Sequence, residues 1–127
     1  REGFQELILQ PQSDLPHFRH FLAEIGWEIV SEEMIKEDGK FYPMMKAVRN
    51  ESGKKISYTE GEAWFGPLLL RECHPVLKEY LLRETAIREK ILAGLLSAPS
   101  ESAKARLAEV KEEMELIKSA LKRYESI

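Results

Sequence analysis

Apolar and polar positions follow two different periods in the first 26 residues. The run from Glu6 to Gln10 is mainly apolar and short, which predicts a buried β-strand. From Leu15 to Ile25, apolar residues recur three and four positions apart, the period of a helix that buries one face. Asp14 is a candidate N-cap, Pro16 suits the first helical turn, and Gly26 suits a helix stop. The pattern predicts a strand followed by a three-turn helix.

Two further strands are predicted after this helix. Trp27 to Ile35 forms the second strand, and Phe41 to Val48 returns antiparallel to it as the third. Between them, Asp38-Gly39 suits a two-residue type I′ turn, because both residues tolerate positive φ. Pro43 predicts either a bulge or a position that faces no ladder partner. The order of elements predicts a right-handed crossover unit with an antiparallel strand at its end.

From residue 68 onward the pattern is helical. A broad apolar stripe from Leu77 to Leu95 predicts one helix, and the short polar link from Ser97 to Ser102 makes the next helix its antiparallel neighbour. In the last helix apolar residues alternate spacings of four and three, the seam of a coiled coil: Ala103, Leu107, Val110, Met114, Ile117, Leu121 and Tyr124.

The patterns together predict an α/β plus α fold class. We expect the C-terminal half of a Rossmann-like sheet, in the order strand, helix, strand, hairpin, strand, followed by an antiparallel helical coiled-coil hairpin. The expected boundaries are residues 1–48 for the sheet part, 49–67 for a connecting segment and 68–127 for the helices. A first strand that is apolar on both faces is typical of parallel strands buried under two helical layers, so partner strands are expected upstream.

Composition narrows the classes of protein. With 127 residues and a formal net charge of −3, the chain suits one modest domain plus an appendage and has no overall basic footprint for nucleic acid. The single cysteine, Cys73, cannot form an internal disulfide, and no apolar run approaches the roughly 20 residues that span a bilayer. A reduced, cytoplasmic setting is expected. Because the sequence opens on REGF, with no initiator Met, we expect a cut chain.

Four sequence blocks resemble one protein family. LILQPQ, EIVSEEMIKEDGKFY, WFGPLLL and HPVLKEY, ahead of a terminal coiled coil, resemble the bacterial tRNA (adenine(22)-N1)-methyltransferases. That family has an N-terminal Rossmann-like S-adenosylmethionine domain and a C-terminal coiled-coil domain, and the resemblance covers its C-terminal portion. The family typically has Asn after LQP, whereas this chain has Gln12, which keeps the amide and adds a methylene.

The resemblance implies where the cofactor binds. Glu6 to Gln10 would be the fifth of seven strands, with the Gly-rich cofactor loop and the ribose-binding acid upstream. None of the seven glycines here forms a G-x-G. We therefore expect S-adenosylmethionine to bind in the missing N-terminal part and this chain alone to be inactive.

The implied reaction transfers a methyl group from S-adenosylmethionine to N1 of a tRNA adenine. The N1 lone pair is itself nucleophilic, so the protein mainly aligns it with the methyl group and excludes water. No strong base is required, and no catalytic residue is assigned in this chain.

Five residues are candidates for binding the substrate base. Ligands of open α/β sheets bind beyond the carboxyl ends of the parallel strands, which places Gln10, Pro11 and Gln12 at the active-site rim. The side-chain amides of Gln10 and Gln12 suit the Watson–Crick edge of an extruded adenine, although the three residues also suit a purely structural turn. At the hairpin, Lys40 is placed to meet a phosphate and Tyr42 to stack; the alternative is a solvated hairpin tip.

A row of lysines on the last helix is the candidate tRNA-binding surface. If the apolar seam occupies positions a and d, three lysines occupy successive e positions about 10 Å apart and a fourth lies close by. Such a line could follow a phosphate backbone. The alternative is that these lysines pair with acids such as Glu84 or Glu89 across the hairpin. The row consists of Lys104, Lys111, Lys118 and Lys122.

Other functions are weaker interpretations of the sequence. His17 and His20 are three residues apart on one helix, but no third metal ligand is placed, so no metal is expected. No membrane partner is expected either, because no apolar run is long enough to span a bilayer. The alternative function is a non-catalytic interaction module that pairs through its coiled coil or through an exposed sheet edge. An upstream strand-turn-helix containing G-x-G would favour the enzyme.

Overall fold

The computed structural model describes residues 6–9 and 14–126, apart from the side chains of Leu7, Leu9 and Ser126. The chain divides into two compact units, Arg1–Leu77 and Lys78–Ile127. The domain limits expected from the sequence, at residues 48 and 67, stay predictions.

The first unit holds a three-stranded sheet in which both neighbouring pairs are antiparallel. The strand order is β1-β3-β2, so β1 and β2 run in the same direction but are not neighbours. The antiparallel strand was expected at the end of the crossover unit and instead lies in its middle. The reason is that β1 pairs along the free edge of β3, from Glu6 opposite Val48 to Leu9 opposite Met45. The described elements of this unit are β1 Glu6–Leu9, α1 Leu15–Glu24, β2 Trp27–Glu37, β3 Lys40–Arg49, α2 Glu60–Phe65 and α3 Pro67–Arg71.

The predicted hairpin turn is confirmed. Asp38 has φ 52° and Gly39 has φ 76°, so both central residues are in the left-handed region that a type I′ turn requires. Pro43 pairs with Met34 without a register shift and lies beyond the last described pair of β1 with β3. The irregularity in the β2–β3 ladder lies instead between Ile29 and Ser31.

Helix α1 begins and ends where the sequence places it, with one difference. Gly26, at φ 84°, follows the helix as predicted. The expected side-chain cap from Asp14 is wrong: Asp14 precedes Leu15, but its carboxylate accepts no hydrogen bond from the first turn, because its own backbone is left-handed at φ 52°. A capping residue needs an extended backbone to aim its side chain at the first turn.

One apolar cluster fixes α1 and α3 against the sheet. Its buried members are Leu22 from α1, Ile29 from β2, Met45 and Ala47 from β3, and Leu68 from α3. Burying four large apolar side chains contributes about 1.5 to 3 kcal/mol each to stability. The alternation of β2 and β3 residues across the two faces of the sheet therefore decides which face carries the helices.

The second unit is helical. Helix α4 covers Pro75–Ser97, α5 covers Glu101–Lys122, and a short 3₁₀ helix covers Arg123–Ser126. Ser100 caps α5, since its hydroxyl accepts a hydrogen bond of 3.1 Å from the amide of Ala103.

The predicted seam of α5 lies on its buried side. The side chains that are buried on this helix belong to Ala103, Val110, Ile117 and Ala120, and the first three are seam positions. Arg88 of α4 donates to the Glu113 carboxylate of α5 at 3.0 Å. The two residues are at similar distances along their helices from a link of three residues, as antiparallel helices require. Among the described residues, no helix is long and apolar enough to cross a membrane.

Candidate functional site

β1 and β2 run in the same direction, so their carboxyl ends point toward the same edge of the sheet, the edge of the hairpin. The described part of β1 ends at Leu9, opposite Met45 of β3, whereas β2 continues to Glu37, opposite Lys40. Gln10, Pro11 and Gln12 follow β1 in sequence but lie outside the described residues. Lys40 and Tyr42 are at the start of β3, directly after the hairpin turn. Residues two apart in a strand project from the same face, so Lys40 and Tyr42 share one face of the sheet. Lys40 is exposed and Tyr42 is half-buried.

The four lysines predicted to bind tRNA are all exposed on α5. The Lys104 ammonium lies 3.9 Å from Glu101 Oε1, and the Lys118 ammonium lies 3.8 Å from Glu115 Oε2. Each of these acids is one turn earlier on the same helix. Exposed pairs of this kind contribute about 0 to 1 kcal/mol to stability, so Lys104 and Lys118 can exchange these acids for another partner at little cost.

The predicted alternative partner of these lysines is engaged elsewhere. Glu84 binds two arginines of its own helix: Arg83 Nη2 lies 3.1 Å from one carboxylate oxygen, and Arg88 Nη1 donates to the other. Glu89 is exposed on α4. In the part of the chain that the structure describes, Glu84 thus pairs with arginines of α4 and not with the lysines of α5.

A buried ion pair links α1 to β2. Arg19 and Glu32 have side chains that are each 1% exposed, and Arg19 Nε donates to Glu32 Oε2 at 3.1 Å. Arg19 Nη1 also donates to the carbonyl oxygen of Ala63 at the end of α2, at 2.7 Å. Burial raises the pKa of Glu32, and the Arg19 charge together with two amide hydrogen bonds partly offsets this rise.

The same carboxylate caps helix α3. Glu32 Oε1 accepts hydrogen bonds from the amides of Leu68 at 2.8 Å and Leu69 at 3.3 Å. A Cβ on Gly66 would lie 2.7 Å from this oxygen, so the chain passes Glu32 only because residue 66 has no side chain. The first backbone amides of a helix have no carbonyl partner within the helix, so they favour a negative charge nearby. Their hydrogen bonds explain why the acidic side chain of Glu32 is buried here.

Sequence reasoning missed this pair although α1 carried a signal for it. Arg19 lies four residues after Leu15 and three before Leu22, which puts it on the apolar face of the helix. A charge on such a face predicts a buried partner. Glu32 gave no comparable signal, because the register shift after Ile29 changes which β2 residues face the core.

One of the two histidines of α1 contacts an acid of α2. His20 Nε2 lies 3.0 Å from Glu60 Oε1 of α2, and both side chains are largely exposed. His17 is also exposed. Within residues 6–9 and 14–126, no group of three His, Cys, Asp or Glu side chains is placed to hold a metal ion.

Solved structures similar to this chain have a Rossmann-like fold. A protein of the NADB-Rossmann superfamily from Streptococcus agalactiae matches it with a TM-score of 0.75 and 29% identity, over 92% of this chain and 48% of the other. A Streptococcus pneumoniae protein, solved in complex with S-adenosyl-L-methionine, matches with a TM-score of 0.72 and 26% identity, over 92% of this chain and 47% of the other. The expected Rossmann-like architecture is thereby confirmed at the level of the fold.

A curated relative and a family profile agree with these structures. The tRNA (adenine(22)-N(1))-methyltransferase of Bacillus subtilis (strain 168) is 29% identical over 123 residues, which are 94% of this chain and 51% of the relative. The chain therefore spans about half the length of the curated relative it matches. The profile of tRNA (adenine(22)-N(1))-methyltransferase matches residues 2–119. The chain belongs to the tRNA (adenine(22)-N(1))-methyltransferase family.

Proposed function

We propose that this chain is part of a cytoplasmic enzyme that transfers a methyl group from S-adenosylmethionine to N1 of a tRNA adenine. The observation that carries the proposal is the family match over residues 2–119. The similar Streptococcus pneumoniae protein, which was solved with S-adenosyl-L-methionine, supports the choice of cofactor. The chain's share in this reaction is to hold the substrate.

The residues of this chain do not fit a cofactor site of their own. A dinucleotide or S-adenosylmethionine loop needs closely spaced glycines, which let the backbone approach the ligand, and none of the seven glycines forms a G-x-G. S-adenosylmethionine would supply the methyl group from outside this chain. No step of the reaction is assigned to a cofactor bound here, and the chain alone is expected to be inactive.

The edge of the sheet toward which β1 and β2 run is the proposed substrate rim. In open α/β sheets this edge carries the ligands, and Gln10, Pro11 and Gln12 follow β1 there in sequence. Glutamine amides both donate and accept, as the Watson–Crick edge of adenine requires. Lys40 and Tyr42, on one face of β3, would meet the neighbouring phosphate and base.

The reaction demands alignment more than proton transfer. The N1 lone pair of adenine attacks the methyl carbon, so the residues at the rim have to orient the base and exclude water. A flipped base costs a few kcal/mol of stacking, which contacts to its edge and faces offset. The proposed roles are hydrogen bonding for Gln10 and Gln12 and stacking for Tyr42.

The α4–α5 hairpin is the proposed coiled-coil element that holds the tRNA. Three of its seam residues are buried, and its row of four lysines, Lys104 to Lys122, is exposed. Two of these lysines, Lys104 and Lys118, have weak acidic partners on the same helix. Each lysine that neutralises a phosphate releases counterions and adds affinity that falls with salt.

Titration of the 127-residue chain with unmodified bacterial tRNA across salt concentration tests the proposal. We expect the triple variant Lys104→Glu, Lys111→Glu and Lys118→Glu to weaken binding at least about tenfold. The slope of log affinity against log salt should fall by about 0.9 for each lost phosphate contact.

Lys90→Glu is the matched control, since Lys90 is an exposed lysine of α4 outside the row. Its effect should be at most about twofold, in line with a distant surface charge. If the triple variant binds as well as the unmodified chain, α5 does not hold the tRNA. If the unmodified chain binds no tRNA at low salt, that result would favour the alternative function, a non-catalytic interaction module.

A further inference from the structure

A segment without helix or strand connects β3 to α2, and its residues 53–58 are called the strap here. The strap is held at both ends. Before it, the Asn50 amide donates to the Gly26 carbonyl at 2.8 Å, and at its last residue the Tyr58 hydroxyl accepts from the Ile29 amide at 3.3 Å. Inside the turn that opens the strap, the Ser52 amide donates to Asn50 Oδ1 at 2.9 Å. The strap therefore has a defined path.

Two open cavities flank the strap. One, of about 700 Å³, lies between the strap and the end of α1, where Ala23 and Gly26 line it. The other, of about 270 Å³, lies between the strap and the start of α3, where Pro67 and Leu68 line it. Residues 54–58 line both cavities, so the middle of the strap stands clear of the body of the unit on two sides.

Three cations line these cavities without a carboxylate partner. Lys54, Lys55 and Arg71 are exposed, and in the described part of the chain no carboxylate oxygen lies within 4.0 Å of their charged nitrogens. Two acids line the cavities as well, and one of them, Glu28, accepts a hydrogen bond of 3.3 Å from Asn50 Nδ2. The other is Glu24, on the far side of the larger cavity. Positive charge thus exceeds negative charge here, on a chain whose net charge is −3.

The strap also offers neutral hydrogen-bond donors. Among the residues that the structure describes, the amides of Lys55, Ile56 and Ser57 make no backbone hydrogen bond. Ser57 adds an exposed hydroxyl beside the two lysines. Ammonium groups, backbone amides and hydroxyls are the donors that proteins direct at phosphate oxygens.

We propose that the strap and Arg71 bind the sugar–phosphate backbone of tRNA, at a site separate from the lysines of α5. The proposal rests on the proposed function, which supplies tRNA as the partner. An extended segment with successive donors and open space on both sides suits a chain of phosphates better than a compact anion.

The position of the strap beside the sheet indicates which part of the RNA it would contact. It follows the end of β3 and packs beside the start of β2, at the edge opposite the hairpin. An eleven-residue strand such as β2 is about 35 Å long, so the strap is far from the hairpin, where Lys40 and Tyr42 lie. A contact there holds the body of the RNA, and it reads no base at the reacting centre.

The test combines variants with chemical protection of lysines, using the 127-residue chain and unmodified bacterial tRNA. We expect Lys54→Glu with Lys55→Glu to weaken binding at least about tenfold at low salt. The slope of log affinity against log salt should fall by about two, since each phosphate contact contributes about 0.9. Bound tRNA should protect both amines from acylation, as measured by mass spectrometry.

Two controls keep the result specific. Lys90→Glu makes one such charge reversal outside the strap and should alter affinity at most about twofold. Lys54→Ala with Lys55→Ala removes the charges without adding acids, and its unfolding midpoint should equal that of the unmodified chain.

The outcomes separate this proposal from the proposed function. If tRNA binds the unmodified chain but protects only the α5 lysines, and the strap variants bind normally, the strap is not an RNA site while the proposed function stands. If the unmodified chain binds no tRNA at low salt, tRNA holding by this chain and the strap proposal both fail.

Discussion

At the scale of single residues, the buried pair of Arg19 and Glu32 has the most consequences. It joins four elements, since Arg19 lies on α1, Glu32 on β2, and their remaining hydrogen bonds go to Ala63 of α2 and to the first amides of α3. A buried pair rarely adds net stability, because desolvation offsets the attraction, but removal of one partner leaves an uncompensated charge. The contribution of the pair to the free energy of unfolding is therefore best measured by removing each charge separately.

Arg19→Met should lower the free energy of unfolding at neutral pH by about 3 to 5 kcal/mol, the usual cost of a buried charge without its partner. Adding Glu32→Gln should restore part of this loss, because the amide oxygen still accepts from Leu68 while the charge is gone. Urea denaturation of the two variants and the unmodified chain measures both steps. A double variant less stable than Arg19→Met would contradict the explanation.

The pH dependence of Arg19→Met has a defined sign. Burial raises the pKa of Glu32 in the folded chain, so the folded chain keeps the proton to a higher pH than the unfolded chain does. The resulting stability is fully present below the ordinary pKa of 4.5 and is lost as pH rises through the raised pKa. Because Arg19 lowers the pKa of Glu32, Arg19→Met should raise this pKa further and widen the pH range over which the folded chain keeps the extra proton. The cost of Arg19→Met should shrink as pH falls from 7 toward 4.5, and a cost independent of pH would contradict this.

At the scale of secondary-structure elements, the joint between α2 and α3 depends on Gly66. Helix α2 is closed at its start by a capping box between Thr59 and Glu62, and Gly66 separates it from α3 with φ 99°. Since this backbone conformation excludes most side chains, one glycine lets two short helices meet over the Glu32 carboxylate.

Gly66→Ala should destabilise the chain by at least about 2 kcal/mol, because strain at positive φ adds to a 2.7 Å clash with Glu32 Oε1. Gly94→Ala is the control: Gly94 lies inside α4, its φ is not positive, and nothing lies within 4 Å of an added Cβ. That change should stabilise by about 0.5 to 1 kcal/mol, through helix propensity. Thermal unfolding followed by circular dichroism would show opposite shifts, and equal shifts would show that Gly66 has no special role.

At the scale of the whole molecule, a chain with two compact units spans about half of the relative it matches. The proposed division of labour follows from what each part offers. The sheet unit has the strand ends, the hairpin and the strap, and the helical unit has the row of lysines. Neither supplies the glycine spacing of a cofactor loop.

The chain alone should neither bind S-adenosylmethionine nor methylate tRNA. Calorimetric titration should give no binding tighter than about 1 mM, an affinity of only about 4 kcal/mol. Methyl transfer from labelled S-adenosylmethionine to tRNA should stay at the level without protein, and the full-length Bacillus subtilis relative is the positive control for the assay. Saturable cofactor binding by this chain would place a cofactor site among its own residues.

Much of the architecture was predictable because it depends on near neighbours in sequence. The bounds of α1, β2 and β3 to within two residues, the positive φ of Asp38 and Gly39 and the buried seam positions Ala103, Val110 and Ile117 follow from local periodicity and turn chemistry. The short helix α2, Glu60–Phe65, was not predicted and lies in the segment expected to be a connection. The four blocks that resemble the family were likewise legible without coordinates, and the family match confirms them. Of the candidate site residues, Lys40 and the α5 lysines are described as exposed, while Gln10, Pro11 and Gln12 lie outside the described residues.

Local sequence patterns were enough to predict β1, α1, β2, β3 and the two long helices, their order, and the family. Tertiary structure alone decided that β3 lies between β1 and β2, that Arg19 meets Glu32, and that the strap stands between two cavities. The physical reason is the separation of the partners. The hydrogen bonds of the buried pair join residues 13 to 44 positions apart, and no local period or propensity encodes which distant groups will share a buried site.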